Sequence, residues 1–365
     1  MDLLSQNAVL VFAFVSGIIA GFSVRRAKLC TFGAVESLLF GGDTRRVKAL
    51  AAGLGIAIAV TQALILSGLL DVRTTSYLSV AASPLAIALG GSIFGLGMAL
   101  VGTCAFGCLV RLGGGDLRSL VAILLIGAVA FASLYGTLMG IRLFLTSTLP
   151  SLPPMPADLP TALESAGLPG SRVWVAAAIA IALLMWALSD RRLWAARRLL
   201  VAGVALGLLV AAGWIVTGIL PDGLSSGQTP QSLTFIAPLA KLPFGALYNG
   251  ESLAAFGTMT AFGVIAGSFI SALIARDFRW EAFDAHQEMQ RHLLGASLMG
   301  FGGALAGGCT IGQGLTAGSL LALSWPFALG GIVAGAWFGT FMLIGGWCAM
   351  RRRVRALLGG VSEQH

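Results

Sequence analysis

Nine stretches of mostly apolar residues, separated by short polar loops, decide what this chain can fold into. They lie near 8–24, 48–70, 84–103, 118–145, 172–189, 199–220, 252–275, 292–308 and 326–350. A helix rises about 1.5 Å per residue, so runs of roughly 20 residues match the hydrocarbon thickness of a bilayer. In lipid each backbone N–H and C=O must be satisfied internally, which leaves helices for segments of this kind. The expected fold is an all-α polytopic membrane protein, with about nine transmembrane helices in a single domain, 1–365. Composition agrees: 10% of the residues are charged, against about 25% in a soluble domain. The 50 glycines suit helices held by close backbone approach, since lipid gives no hydrophobic push between them.

The cations sit between the apolar runs. Arg25, Arg26 and Lys28 follow the first; Arg45, Arg46 and Lys48 precede the second. Further clusters are Arg191, Arg192, Arg197 and Arg198; Arg276, Arg279 and Arg291; and Arg351, Arg352, Arg353 and Arg355. Basic loops stay on the cytoplasmic side. Nine crossings then place the N-terminus outside and the C-terminus in the cytoplasm, with connectors 146–171 (proline-rich) and 221–250 outside. The first run has Asp2 and no cation before it, the reverse of a secretory signal peptide. A nucleic-acid partner is excluded, because the net charge of +8 is spread over loops instead of one face.

A glycine-rich segment centred on cysteine occurs twice. It reads Gly95-Leu-Gly-Met-Ala-Leu-Val-Gly102-Thr-Cys104-Ala-Phe-Gly107 and Gly300-Phe-Gly-Gly-Ala-Leu-Ala-Gly-Gly308-Cys309-Thr-Ile-Gly312. In the nine-crossing topology the two copies enter the membrane from opposite faces. That predicts an inverted pseudo-two-fold repeat, with halves at about 8–145 and 172–350 and a substrate site where they meet. Cys104 and Cys309, with Gly102, Gly107, Gly308 and Gly312 exposing backbone amides beside them, are the candidate substrate-binding residues. Cys30 joins them: residues 29–40 are too few to cross, about 18 Å as a helix, and suit a short re-entrant helix lining protein or water.

Several chemistries are open to three thiols. Metal ligation asks for more His or Cys at coordinating distance; a Cys104/Cys108 pair is available, but Gln313 stands where the second copy would repeat Cys108. Covalent sulfur transfer on the same cysteines is a second reading, and no cofactor is implied by either. A thiol can also act as a weak hydrogen-bond donor to a soft, polarizable atom, which favours a sulfur-containing anion. Cys108 and Gln313 are candidates for additional path residues. Arg111 and Asp116 are expected to form an ion pair at the inner rim. Glu36 is expected either to gate or to lie near the interface. Cys348 lies outside every motif and is expected to be dispensable.

Taken with Lys28-Leu-Cys30-Thr-Phe-Gly33-Ala, Gly102-Thr-Cys104-Ala-Phe-Gly107-Cys-Leu-Val-Arg111-Leu-Gly-Gly-Gly-Asp116, Gly307-Gly-Cys309-Thr-Ile-Gly312-Gln-Gly314 and Ser232-Leu-Thr-Phe235, the whole chain resembles the YeeE/YedE family of bacterial inner-membrane proteins. The resemblance implies an hourglass of two inverted halves. It also implies uptake of thiosulfate or a related sulfur or selenium species, non-enzymatic, by a relay through Cys30, Cys104 and Cys309. Any cytosolic sulfurtransferase or sulfur-carrier partner would be a separate polypeptide.

Overall fold

A computed structural model describes residues 2–72, 75–79, 83–149, 158–165, 167, 170–218, 229–247 and 254–344. Cys348, the basic cluster at 351–355 and most of the prolines in 146–171 lie outside the described residues. The elements, in chain order, are α1 (Asp2–Ala27), α2 (Thr31–Phe40), α3 (Arg45–Leu66), α4 (Ser76–Ser79), α5 (Pro84–Val101), α6 (Ala105–Leu112), α7 (Leu117–Tyr135) and α8 (Met139–Thr148). There follow α9 (Leu159–Ser165), α10 (Ser171–Leu188), α11 (Arg191–Ala195), α12 (Arg197–Gly218), α13 (Ile236–Leu247), α14 (Phe256–Ala275), α15 (His286–Leu305), a π-helical segment (Gly312–Ala317) and α16 (Ser324–Leu343). The fold is all-α and polytopic.

Among the described residues eight helical stretches are long and apolar enough to cross a membrane; α1 with α2, and α5 with α6, each count as one stretch. The expected ninth is α15. It has 20 residues, about 30 Å of helix, but its first two turns carry His286, Glu288, Arg291 and His292 and interrupt the apolar run. The expected run 118–145 is broken. Helix α7 stops at Tyr135 because Gly136 leaves helical geometry (φ −121°, ψ −149°), and Arg142 of α8 turns back to donate to the Ser133 carbonyl at 3.0 Å.

The packing pattern repeats itself. Helix α1 packs on α14 and α3 on α12; α5 packs on α16 and α7 on α15; α7 holds α13 and α16 holds α2; α6 lies on α7 and the π-helical segment on α16. The pairs α1–α12 and α5–α15 map onto themselves. Exchanging α1, α2, α3, α5, α6 and α7 for α12, α13, α14, α15, the π-helical segment and α16 leaves this set of contacts unchanged.

Glycine makes these contacts close. A Cβ on Gly53 of α3 would overlap the Gly203 carbonyl of α12, and one on Gly335 of α16 would overlap the Ser92 carbonyl of α5. Backbones at that distance gain dispersion along their whole length, which is what holds apolar helices together in lipid. Phe94, Met98, Ile126 and Met299 fill the space between α5, α7 and α15 and are fully buried.

Candidate functional site

Each candidate thiol sits immediately before a short helix. Cys30 is the N-cap of α2 in extended geometry (φ −124°, ψ 130°). Cys104 is the N-cap of α6 (φ −89°, ψ 172°), and its sulfur accepts from the Gly107 amide at 3.3 Å. Cys309 precedes the helical stretch 310–319 and accepts from the Gly312 amide at 3.4 Å. The duplicated motif is thus duplicated structure. Gly102 and Gly307 are both left-handed (φ 79° and 75°), a conformation favoured by glycine, and they end α5 and α15 so that the chain turns abruptly into the cysteine.

Gly107 and Gly312 are small for a local reason. A Cβ on Gly107 would overlap the Thr103 hydroxyl, and one on Gly312 would lie 2.7 Å from the Thr234 hydroxyl and 3.1 Å from that of Tyr77. At Gly102 a Cβ would meet nothing within 4 Å, so that turn borders open space. At Gly308 it would come 3.2 Å from the Gln313 side chain.

The segments meet. The Cys30 sulfur is 3.6 Å from the Thr103 hydroxyl. The Thr31 hydroxyl is 3.3 Å from that of Thr310, and both hydroxyls lie near the Cys104 thiol. The backbone of Phe235 and Ile311 lies near Cys309, beside the Gly312 amide that donates to it. Cys104 and Cys309 are buried, Cys30 is half-buried, and all three are free thiols. These contacts are all with neutral groups: hydroxyls, thiols and amides. Three helix N-termini add fractional positive charge, roughly half an elementary charge each. Among the described residues no three His, Cys, Asp or Glu side chains come together as a metal-ligand set.

The other candidates are placed differently. Cys108 is fully buried one turn beyond Cys104 and belongs to the packed core. Gln313 turns back on its own loop: its Nε2 donates to the Ala306 carbonyl at 2.8 Å, and Ser324 donates to its Oε1 at 3.4 Å. Glu36 is exposed. The expected Arg111–Asp116 pair is not formed. Asp116 caps α7, accepting from the Arg118 amide at 3.1 Å and pairing with the Arg118 guanidinium at 3.0 Å. Arg111 instead donates to the Gly102 carbonyl at 2.9 Å. A capping carboxylate is turned toward its own helix's amides, which takes it away from Arg111.

Sequence reasoning had no signal for the hydroxyls. Thr31, Thr103 and Thr310 each adjoin a cysteine, and that adjacency in three separate motifs is the only mark they leave. A polar frame steadies the second copy: Gln62 Nε2 donates to the Ser319 carbonyl at 3.1 Å, Trp214 Nε1 to the Ser319 hydroxyl at 3.1 Å, and Thr316 to the Leu233 carbonyl at 2.6 Å.

Comparison with known proteins gives this geometry a family. The chain is 26% identical over 366 residues to the thiosulfate transporter TsuA of Escherichia coli (strain K12), covering 94% of each protein. It is also 26% identical over 345 residues to the thiosulfate transporter TsuA of Spirochaeta thermophila, covering 91% of this chain and 95% of the relative. A family profile described as sulphur transport matches residues 26–338. With its duplicated cysteine turns and its apolar helical frame, the chain belongs to the sulphur transport family of membrane proteins.

Proposed function

We propose that this protein takes up thiosulfate across the cytoplasmic membrane, passing it between Cys309, Cys104 and Cys30. The observation that carries this reading is the meeting of three cysteine-capped helix starts in a setting built of hydroxyls, thiols and backbone amides. Two relatives spanning nearly the whole chain are named thiosulfate transporters, which supports the choice of ion.

The matched packing pairs support two inverted halves, α1–α7 and α12–α16, each running from a long helix through a short one to a cysteine or π-helical turn. Helix α10 supplies the odd crossing that inverts the second half. This division starts the second half at Arg197 instead of about 172. The outer end of the path is the Cys309 turn, flanked by Tyr77 and Thr234; the inner end is Cys30.

Thiosulfate carries two negative charges. Three helix N-termini and the amides around Cys309 and Cys104 offset much of that charge, and the guanidinium groups of Arg111 and Arg46 donate to the Gly102 and Gly33 carbonyls. The terminal sulfur, soft and polarizable, pairs with S–H groups. The Thr31 and Thr310 hydroxyls donate to its oxygens. Passage requires the Thr31–Thr310 contact to open and the substrate to replace it.

Radiolabelled thiosulfate uptake, in cells lacking their other sulfate and thiosulfate importers, tests the reading. Uptake that depends on this protein and on Cys104 and Cys309 supports it. A stable persulfide on these cysteines after exposure to substrate, seen by mass spectrometry, would replace it with covalent sulfur transfer.

A further inference from the structure

Three basic clusters that are distant in sequence line one cavity of about 530 Å³, bounded by Arg26, Lys28, Arg45, Arg46, Arg197 and Arg198. Among the described residues Asp43 is the single carboxylate in that lining. It is already engaged, bound by the Arg45 guanidinium at 2.8 Å. Arg46 donates to the Gly33 carbonyl at 3.3 Å. Among the described residues, Arg26, Lys28, Arg197 and Arg198 have no carboxylate at ion-pair distance. Their charge is therefore free for a ligand.

Loop cations at a membrane surface are expected in general, but these form a concave wall, and they adjoin the path. Lys28 is two residues from Cys30, which limits their Cα separation to about 7 Å. Lys28 itself is held in the left-handed region (φ 51°), at the turn where α1 ends and the chain leads into Cys30. Arg46 ties the other side of the cavity to α2, the helix that Cys30 caps. The basin and the inner thiol share one piece of backbone.

We propose that this basin is a binding site for a small dianionic oxyanion, and that it is the station to which Cys30 delivers substrate. The second clause rests on the relay reading above; the first does not. Inside the path, thiols and neutral amides read the soft sulfur. In the basin, guanidinium and ammonium groups read charge and oxygen geometry. The site therefore takes sulfate or phosphate as readily as thiosulfate, and an oxyanion held there obstructs release. Transport is then slowed by sulfate on the basin side and not by sulfate on the opposite side.

Calorimetric titration of the purified full-length protein with sodium sulfate tests the site without requiring transport. Binding is expected in low salt, screened by added chloride, and weakened roughly tenfold or more in an Arg26→Gln/Lys28→Gln/Arg197→Gln/Arg198→Gln variant. The titration is run in nanodiscs of phosphatidylcholine and again with phosphatidylglycerol. Binding in both assigns the site to a free anion; binding lost only with phosphatidylglycerol assigns it to a lipid phosphate, the same chemistry from another source. No sulfate binding in either lipid, or equal binding by the quadruple variant, overturns the site. In proteoliposomes, sulfate on the basin side should slow thiosulfate uptake by the wild type and not by the variant; unaltered wild-type uptake overturns delivery into the basin. Calorimetric binding that survives alongside uptake indifferent to Cys104→Ala would sink the relay while leaving the site.

Discussion

Replacing Thr310 by valine removes one hydroxyl at nearly constant volume. That hydroxyl lies 3.3 Å from the one on Thr31 and near the Cys104 thiol. In the empty protein the loss is one neutral hydrogen bond, about 0.5–1.5 kcal/mol, so the fold should survive. With substrate bound, the loss is a hydrogen bond to a charged oxygen, about 1.5–3 kcal/mol. The half-saturation concentration for thiosulfate reads the difference between these two losses, about 1–1.5 kcal/mol, and should therefore rise roughly 5- to 13-fold, while thermal unfolding shifts little. Thr310→Ser keeps a hydroxyl and should recover most of the affinity. The assay is labelled thiosulfate uptake into proteoliposomes over a concentration series, with unfolding measured on the same preparations. A Thr310→Val protein whose half-saturation stays within about twofold of wild type would refute the placement of this hydroxyl on the substrate.

Three further outcomes follow from particular contacts. Gly335→Ala drives a Cβ into the Ser92 carbonyl, whereas Gly330 of the same helix has nothing within 4 Å; Gly335→Ala should lower stability by about 1–3 kcal/mol and Gly330→Ala should not, read by thermal unfolding. Hydrogen bonds from the Arg45 side chain and backbone hold Asp43 down at about 2, from 3.8. A lowered carboxylate keeps its stabilising pairing above its ordinary range and loses it only as the pH falls toward 2. Among the described residues no histidine lines the basin, so sulfate affinity there should be flat from about pH 5 to 8, and a steep dependence in calorimetry would contradict this. In intact cells, an impermeant thiol reagent should label Ser165→Cys and spare Ser189→Cys in a background without native cysteines; the reverse pattern would turn the topology over.

The membrane fold was legible because its cause is local. Apolar runs of sufficient length admit few alternatives in lipid, and the basic clusters at 25–28, 45–48 and 197–198 come together on one cavity as a shared side requires. The cysteine turns were legible because Gly102 and Gly307 carry a backbone need, a positive φ, that leaves a residue-type signature. Partner choice left no such mark. Arg111 and Asp116 are five residues apart and opposite in charge, yet capping of α7 outcompetes their pairing. The break at Gly136 was hidden because the apolar pattern continues into α8 on both sides of it. The role of Thr31 and Thr310 depends on a contact between residues 279 positions apart, which hydropathy and spacing do not encode.

The central claim is that thiols read the sulfur of the substrate. It is tested most directly by labelled thiosulfate uptake in cells lacking other importers, comparing wild type with Cys104→Ala, Cys309→Ala and the double variant, each checked for folding and membrane abundance. Uptake should be abolished in every variant while the proteins remain folded, and excess external sulfate should hardly compete with thiosulfate in the wild type. Normal uptake by the double variant, or equal competition by sulfate, would mean that charge alone is read and would return Cys104 and Cys309 to the role of buried packing residues.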